Sequence, residues 1–266
     1  MTNPADIKVQ VMRRLAILAG HEIMQIYERD DFDICTKSDD SPVTLADQLA
    51  DRLIHDGLRT AFPDTAIVTE EQAATHAETA RSFFIVDPLD GTKEFIHRRG
   101  EFTVNIAWVE AGEPVLGVVY APARARLFYT DENGTTVEEL GALSADQVGE
   151  TRPLSVSKPD PDALIVVASK SHRDAATDAY IAQYHVADMR SAGSSLKFCL
   201  VACAEADLYP RLGRTMEWDT AAGQAVLKGA GGQVLRADTL TPLTYGKLGF
   251  ENPHFIACAP GFDLKT

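Results

Sequence analysis

The six residues Asp87-Pro88-Leu89-Asp90-Gly91-Thr92 place two carboxylates three positions apart, directly after the apolar run Phe83-Phe84-Ile85-Val86. Such a run, bounded by turn-forming residues, is typical of a buried strand, and Pro88 and Gly91 predict that the strand ends there. Two anions at the edge of a core need compensation, because desolvation and mutual repulsion both oppose ionisation. A divalent cation bound through oxygen ligands would provide it. A turn in which both aspartates only accept backbone hydrogen bonds would explain the pair equally well.

The composition limits the classes of function. The chain has 266 residues and a formal net charge of −14, which argues against a nucleic-acid polymer as partner. A small phosphorylated ligand is compatible with this charge where metal ions or local cations reverse its sign. We expect no transmembrane segment and no signal peptide. The four cysteines form no C-x-x-C pair, which favours free thiols and a cytoplasmic location.

Hydrophobic periodicity divides the chain into two parts. Before residue 150, apolar residues at spacings of three and four predict two amphipathic helices, and short apolar runs predict strands. Turn residues separate the last three of these strands, which suggests an antiparallel meander. Beyond residue 150, strands and helices alternate, which favours an α/β half. We therefore predict one catalytic domain over residues 1–266, with subdomains 1–150 and 151–266. The predicted helices cover residues 5–28, 44–63, 173–183, 194–204 and 219–228, and the predicted strands cover 65–69, 83–86, 102–109, 115–120, 126–130, 164–168 and 207–209.

Three further acidic positions accompany the opening motif. Glu70-Glu71 follows a predicted strand, although Glu71 could equally face solvent. Asp219 stands at a predicted helix start, where an N-cap is the ordinary role of an aspartate. Asp47 follows Thr44 with the spacing of a capping box, so helix capping is its ordinary role too. For each residue taken alone, the ordinary role is more frequent than a role as metal ligand. The joint occurrence of these residues in one order favours a metal site.

This order resembles the lithium-sensitive, magnesium-dependent phosphatase superfamily, which includes inositol monophosphatase and 3′(2′),5′-bisphosphate nucleotidase. The family pattern of Glu-Glu, Asp-Pro-Leu/Ile-Asp-Gly-Thr and Trp-Asp-x-x-Ala-Gly is present as Glu70-Glu71, 87–92 and 218–223. The resemblance implies an α/β (α+β) fold, a layered αβαβα sandwich, and two or three Mg²⁺ ions per active site. It implies Thr92 and Asp47 as the pair that handles the nucleophilic water. The metal ligands that it implies are Glu70, Asp87, the carbonyl of Leu89, Asp90 and Asp219.

Other segments resemble the bacterial bisphosphate nucleotidases within this superfamily. These are Lys93-Glu94-Phe95, Gly193-Ser194-Ser195-Leu196-Lys197 and Leu208-Tyr209-Pro210-Arg211. The resemblance places Lys197 and Arg211 near the phosphate that is not cleaved, where charge-assisted hydrogen bonds would bind it. A surface lysine extending along an apolar helix is the alternative for Lys197. The substrate-binding residues that the resemblance implies are Glu70, Leu89, Asp90, Gly91, Thr92, Lys93, Ser194, Lys197, Arg211 and Asp219.

The resemblance implies that metal-activated water hydrolyses 3′-phosphoadenosine 5′-phosphate to AMP and phosphate, with the 5′-phosphosulfate analogue as a further expected substrate. An inositol or sugar monophosphatase of the same fold is the alternative. A non-catalytic metal or nucleotide sensor is the rival from another class, and the intact Asp47 and Thr92 argue against it. The resemblance also implies a cytoplasmic enzyme. It leaves open a homodimer and peripheral binding to the cytoplasmic face of the inner membrane, although no helix has a basic, lipid-seeking face.

Overall fold

The computed structural model describes residues 4–29, 34–36, 42–77, 80–169 and 173–265, and only the backbone of residues 34–36, 42 and 43. Within these residues two large sheets alternate with layers of helices. The order of the layers is helices, a seven-stranded sheet, helices, a five-stranded sheet and a helix. This confirms the predicted αβαβα sandwich.

Helices α1 (Pro4–Tyr27) and α2 (Leu45–Ala61) form the first layer. The apolar residues of α1 that recur at spacings of three and four are buried against the seven-stranded sheet, as the periodicity predicts. Helix α2 begins at the N-cap Thr44, whose side chain completes a capping box with Asp47. The two helices cover one face of the seven-stranded sheet.

The first sheet continues the predicted meander. Its strands are β3 (Ala66–Thr69), β4 (Ser82–Asp90), β5 (Thr103–Glu110), β6 (Glu113–Ala121), β7 (Arg126–Thr130), β8 (Thr136–Leu140) and β9 (Glu150–Pro153), after a separate pair β1 (Ile34–Thr36) and β2 (Pro42–Thr44). The seven strands lie side by side in chain order, and all neighbours are antiparallel except β3 and β4, which are parallel. The meander of residues 102–130 is confirmed.

Strand β4 differs from the prediction at its end. It continues through Asp90, whereas Pro88 was expected to end it, so that prediction is wrong. The pairing of β4 with β5 is regular up to Asp87 and resumes only at Asp90, so Pro88 lies in an irregularity where no ladder hydrogen bond is required. The strand is buried on both faces, because Phe83 and Ile85 belong to one hydrophobic cluster and Phe84 and Val86 to the other.

The second sheet follows residue 160. Its order is β11-β10-β12-β14-β13, with β10 parallel to β11 and β12, and β14 antiparallel to its neighbours. The helices α5 and α6 lie between the two sheets, and α4 packs on the outer face of the second sheet. The strands are β10 (Leu164–Ser169), β11 (Val186–Ala192), β12 (Leu208–Arg211), β13 (Gln233–Arg236) and β14 (Phe255–Cys258), and the helices are α3 (Thr92–Ile96), α4 (Ala175–Ile181), α5 (Leu196–Ala202) and α6 (Ala221–Gly229).

A glycine lets the central helix layer approach the first sheet closely. A Cβ atom on Gly117 of β6 would lie 2.5 Å from the carbonyl oxygen of Ala222 in the first turn of α6. Any larger residue would therefore push the start of α6 away from the sheet. The core that this approach closes contains residues of both sheets and supports the proposal of one domain over residues 1–266.

The sequence predicts that no helix spans a membrane and that the cysteines are free thiols. Among the described residues, the helices lack the combination of length and apolar character that a membrane span requires. Cys199, Cys203 and Cys258 are free thiols, while the side chain of Cys35 lies outside the described part of the chain.

Candidate active site

Three of the predicted acidic side chains converge at one end of the first sheet. Carboxylate oxygens of Glu70, Asp87 and Asp219 all lie within 4.8 Å of one another. Glu70 and Asp87 come together because β3 and β4 are parallel, with Thr69 opposite Val86. The amide of Glu70 continues this ladder by donating to the carbonyl oxygen of Val86 at 3.1 Å. Asp219 arrives from the central helix layer, so the cluster lies where two layers meet.

Asp87 also takes the alternative role considered for it. Its Oδ1 accepts a hydrogen bond from the amide of Leu89 at 3.1 Å, which is the contact of an aspartate turn. Because a carboxylate has lone pairs for several partners, the turn and the cluster use the same side chain without conflict. The turn therefore fixes the rotamer of Asp87, which is 1% exposed, while the carboxylate faces Glu70 and Asp219.

Asp219 does not cap a helix. Helix α6 begins at Ala221 with Thr220 at the N-cap, and Asp219 Oδ2 instead accepts from the amide of Met216 at 2.8 Å. The turn that carries it is held by Asn252, whose Nδ2 donates to the carbonyl oxygen of Met216 at 2.7 Å and to Thr220 Oγ1 at 2.9 Å. Asn252 thus orders the turn that orients Asp219, although it lies outside the sequence motifs and was not predicted as a site residue.

Asp90 lies beside the three-carboxylate cluster and is held by a separate network. Its Oδ2 accepts from the amide of Ser195 at 2.6 Å and from Asn105 Nδ2 at 3.3 Å. Ser195 Oγ accepts from Asn105 Nδ2 at 3.0 Å and donates to the carbonyl oxygen of Asp219 at 2.7 Å. Ser195 therefore links Asp90 to Asp219. Neither Ser195 nor Asn105 was predicted as a site residue, although Ser195 belongs to the Gly-Ser-Ser segment that resembles the nucleotidases.

The acidic side chains of the site make one another's ionisation less favourable. Burial, with the charges of Asp90 and Glu70 nearby, raises the pKa of Asp219 well above its usual range. Burial also raises the pKa of Asp90, while the charge of Lys197 opposes this shift. Conversely, burial lowers the pKa of Lys197 to about 8, and Asp90 opposes that shift. Without a cation, full ionisation of the cluster is therefore unfavourable.

A divalent cation fits this donor set. The cluster offers only carboxylate oxygens, which Mg²⁺ and Ca²⁺ prefer, and the three groups are close enough to share ions. Bound cations would lower the cost of ionising Asp219 and Asp90 in a buried site. The carbonyl oxygen of Leu89, a predicted ligand, lies in the same turn and accepts from Thr92 Oγ1 at 3.3 Å.

Thr92 and Asp47 are in contact, as the resemblance implies for a water-handling pair. Thr92 Oγ1 donates to Asp47 Oδ1 at 3.1 Å. The other oxygen, Oδ2, accepts from the amide and the hydroxyl of Thr44 at 2.8 and 2.5 Å. The capping role of Asp47 therefore coexists with its contact to Thr92, because each role uses a different oxygen. The capping box holds the carboxylate in place at the start of α2.

The cations predicted to bind phosphate line the same cleft, which has a volume of about 1120 Å³. Lys197 is 4% exposed, so the alternative of a surface lysine is wrong, because α5 lies between the two sheets. Its Nζ donates to the carbonyl oxygen of Ser194 at 2.5 Å. Arg211, 9% exposed, donates from Nη2 to the carbonyl oxygen of Arg214 at 3.2 Å. Gly91, Lys93 and Ser194 also line the cleft.

Ser195→Ala is expected to weaken both the fold and metal binding, because Asn105 and the Asp219 carbonyl oxygen each lose a buried hydrogen-bond partner. Leaving buried groups unpaired costs about 1–3 kcal/mol. Urea unfolding of the metal-free protein should show a loss of this size, and Mn²⁺ titration should show weaker binding. An unchanged midpoint together with unchanged Mn²⁺ affinity would remove Ser195 from the network that orients the carboxylates.

The fold agrees with comparisons to known proteins. A model of the inositol monophosphatase family matches residues 8–258, so the chain belongs to the inositol monophosphatase family, as the motifs predict. The chain is 46% identical over 224 residues to the 3′(2′),5′-bisphosphate nucleotidase CysQ of Escherichia coli (strain K12), with 83% of this chain and 87% of that protein covered. It is 31% identical over 261 residues to CysQ of Haemophilus influenzae, with 95% and 93% covered. The crystal structure of CysQ from Bacteroides thetaiotaomicron matches with a TM-score of 0.81 at 36% identity, covering 97% of this chain and 98% of that one.

Proposed function

We propose that this chain is a magnesium-dependent 3′(2′),5′-bisphosphate nucleotidase that hydrolyses 3′-phosphoadenosine 5′-phosphate to AMP and phosphate. The observation that carries the proposal is that one cleft holds both a carboxylate cluster and two nearly buried cations, Lys197 and Arg211. A substrate with one phosphate to cleave and one to retain needs both features. The identity of 46% to a bisphosphate nucleotidase supports the same substrate class.

The residues of the cluster would hold the metal ions and, through them, the scissile phosphate. The proposed ligands are Glu70, Asp87, the Leu89 carbonyl, Asp90 and Asp219, for two or three Mg²⁺ ions. When bound, magnesium would neutralise phosphate charge and make an attacking water more acidic. The ligands themselves need only keep their positions, which the turn at Asp87 and the Ser195 network do.

Thr92 and Asp47 would orient the attacking water. A threonine hydroxyl has one proton, and two acceptors lie within reach of Thr92 Oγ1: Asp47 Oδ1 at 3.1 Å and the Leu89 carbonyl oxygen at 3.3 Å. With the Leu89 carbonyl bound to a metal ion, the proton would be donated to Asp47. The lone pairs of the hydroxyl can then accept a hydrogen bond from water and direct its oxygen in line with the phosphorus. Asp47 can accept the proton that passes through the hydroxyl, so no covalent phosphoenzyme is required. The amides of Gly91 and Thr92, at the start of α3, are proposed to contact phosphate oxygens.

The retained phosphate would lie in the part of the same cleft that Lys197, Arg211 and Ser194 line. Lys197 and Arg211 would bind it by charge-assisted hydrogen bonds, and Ser194 would contribute a neutral donor. The Oγ of Ser194 is buried and has no hydrogen-bond partner among the described residues, which suits a site completed by a ligand. Lys93, exposed at the cleft, is proposed to contact the substrate as well.

A substrate panel tests the proposal directly. The bisphosphate nucleotide, its 5′-phosphosulfate analogue and inositol 1-phosphate should be compared by phosphate release with and without magnesium. We expect kcat/KM to be highest for the bisphosphate and to require the metal. Preference for inositol 1-phosphate would favour the alternative monophosphatase. Failure of every phosphate ester to react at saturating magnesium would favour a non-catalytic sensor.

Neutralising the two cations should reduce activity on bisphosphates more than on monophosphates. Losing one charge-assisted contact costs roughly 1.5–3 kcal/mol, or about one to two decades in kcat/KM. The measurement is kcat/KM of Lys197→Met and Arg211→Met on the adenosine bisphosphate and on a 3′-monophosphate. Lys197→Met should show an additional loss on both substrates, because Lys197 also compensates the charge of Asp90.

Arg236→Met is the matched control for these variants, because Arg236 pairs with Asp238 at a half-buried position of β13. This variant should leave kcat/KM unchanged on both substrates. Equal losses of Arg211→Met on both substrates would show that Arg211 supports the fold or the metal site and not a second phosphate. The cytoplasmic location, peripheral membrane association and homodimer stay predictions that the panel does not address.

A further inference from the structure

Helix α2 carries a second buried carboxylate besides Asp47. Asp51 lies four residues later, one helical turn away, and the two side chains therefore share a face. Asp47 is 1% exposed and Asp51 is 4% exposed. Burial raises the pKa of Asp51, so its charge has a cost that an apolar residue at this position would avoid. Asp51 lies outside the sequence motifs described above.

The partner of Asp51 belongs to the turn that carries Glu70. Gln72 Nε2 donates to Asp51 Oδ2 at 2.7 Å. The carbonyl oxygen of Gln72 accepts from the hydroxyl and the amide of Thr75 at 2.7 and 2.8 Å. The same hydroxyl accepts from the amide of Thr69 at 3.1 Å, which closes the turn around Glu70 and Glu71. The hydroxyl of Thr75 therefore closes the turn by joining Thr69 to Gln72, and the side chain of Gln72 connects the turn to α2.

Two neighbouring turns of α2 thus contact the two chain segments that meet at the carboxylate cluster. Asp47 contacts Thr92, which lies two residues after Asp90. Asp51 contacts Gln72, which lies two residues after Glu70. Because both contacts start from one rigid helix, the distance between the two segments depends on the helix as well as on the sheet.

We infer that Asp51 is a positioning residue that orients Glu70 through Gln72, so that α2 aligns the metal-binding end of β3 with the Thr92 side of the cleft. This inference rests on the proposed function, because it assigns Glu70 to a metal. Groups that orient metal ligands through hydrogen bonds usually affect metal affinity without touching the ion. A purely structural Asp51 would affect stability alone.

The test is Mn²⁺ binding followed by electron paramagnetic resonance, which needs neither nucleotide nor turnover. Asp51→Leu and Gln72→Ala should each weaken Mn²⁺ binding about tenfold, at the lower end of the range for groups that support metal ligands. Asp51→Asn keeps an oxygen acceptor for Gln72 and should stay within about threefold of the unsubstituted protein. The double variant Asp51→Leu/Gln72→Ala should bind no worse than either single variant, because both remove the same contact.

Gln48→Ala on the exposed face of α2 is the matched control and should change nothing. Additive losses in the double variant would overturn the inference, and so would unchanged Mn²⁺ affinity in Gln72→Ala. An Asp51→Asn variant as weak as Asp51→Leu would also overturn it. Absence of Mn²⁺ binding in the unsubstituted protein would instead overturn the proposed metal site, so the two failures are distinguishable.

Discussion

Asp90→Asn is expected to abolish turnover at any magnesium concentration while the fold survives. The substitution keeps the shape of the side chain and its hydrogen bonds with Ser195 in reach, but removes one anionic oxygen ligand from a site that would hold more than one ion. Hard cations bind carboxylates much better than amides. Phosphate release at saturating magnesium measures the loss, and circular dichroism with thermal unfolding measures the fold.

The stability of the metal-free Asn variant should not fall at neutral pH. Burial raises the pKa of Asp90, so the folded protein holds this proton more tightly than the unfolded chain does. The stability that protonated Asp90 contributes is then lost as the pH rises through the unfolded pKa towards the folded pKa. Asparagine carries no such charge, so the variant is free of that loss. An inactive variant with an unchanged unfolding midpoint separates loss of a ligand from loss of the fold.

Asp64→Asn, at an exposed position between α2 and β3, is the matched control and should retain full activity. Substantial turnover by Asp90→Asn at saturating magnesium would remove Asp90 from the proposed ligands. The cluster of Glu70, Asp87 and Asp219, whose oxygens lie within 4.8 Å of one another, would then have to bind the ions without it.

The fold was predictable where burial produces a pattern in the sequence. Helix α1 and the strands β4 to β7 bury apolar residues at regular spacings, and they lie close to their predicted positions except at the end of β4, which continues through Asp90. Hydrophobic periodicity did not predict the edge strand β9, Glu150–Pro153, which is exposed at every position, or β11, Val186–Ala192, which is mostly exposed. Edge strands form through backbone pairing with a neighbour, and such pairing requires no hydrophobic alternation. Buried Glu138 and Glu139 in β8 obscured the pattern there, because Glu139 pairs with Arg13 of α1 and Glu138 with Arg126 of the neighbouring strand β7.

The site was predictable to the extent that its residues stand in motifs. Of the acidic residues that the three motifs predict as metal ligands, Glu70, Asp87 and Asp219 converge, and their ligand role stays a prediction. The motifs could not identify Asn252 or Ser195, because their contacts join segments 24 to 105 residues apart along the chain. The burial of Lys197 was likewise invisible, because an apolar helix with one lysine is compatible with a surface until the second sheet is seen to cover it.

Thr92→Ala is expected to lower kcat far more than it weakens metal binding. The Ala variant loses the hydroxyl that connects the attacking water to Asp47, whereas every proposed metal ligand keeps its side chain. Positioned proton transfer typically contributes about 10²–10⁴-fold, and we expect kcat to fall within that range. The magnesium concentration that gives half-maximal activity, and the Mn²⁺ affinity, should change by less than about threefold, because an orienting hydroxyl acts in the transition state and not on the resting ions.

Two variants make this test specific to the hydroxyl. Thr92→Ser keeps the hydroxyl and should restore most of the lost kcat, while Thr60→Ala, at an exposed position of α2, should have no effect. Asp47→Asn should resemble Thr92→Ala, because an amide that presents its NH₂ group to Thr92 can no longer accept the proton. If kcat of Thr92→Ala stayed within a factor of a few while magnesium affinity fell, Thr92 would act on the metal site, and the water would have to be oriented by another group. The short path from Thr92 Oγ1 to Asp47 Oδ1, and the two Thr44 donors that hold the other oxygen of the same carboxylate, favour the water-orienting role.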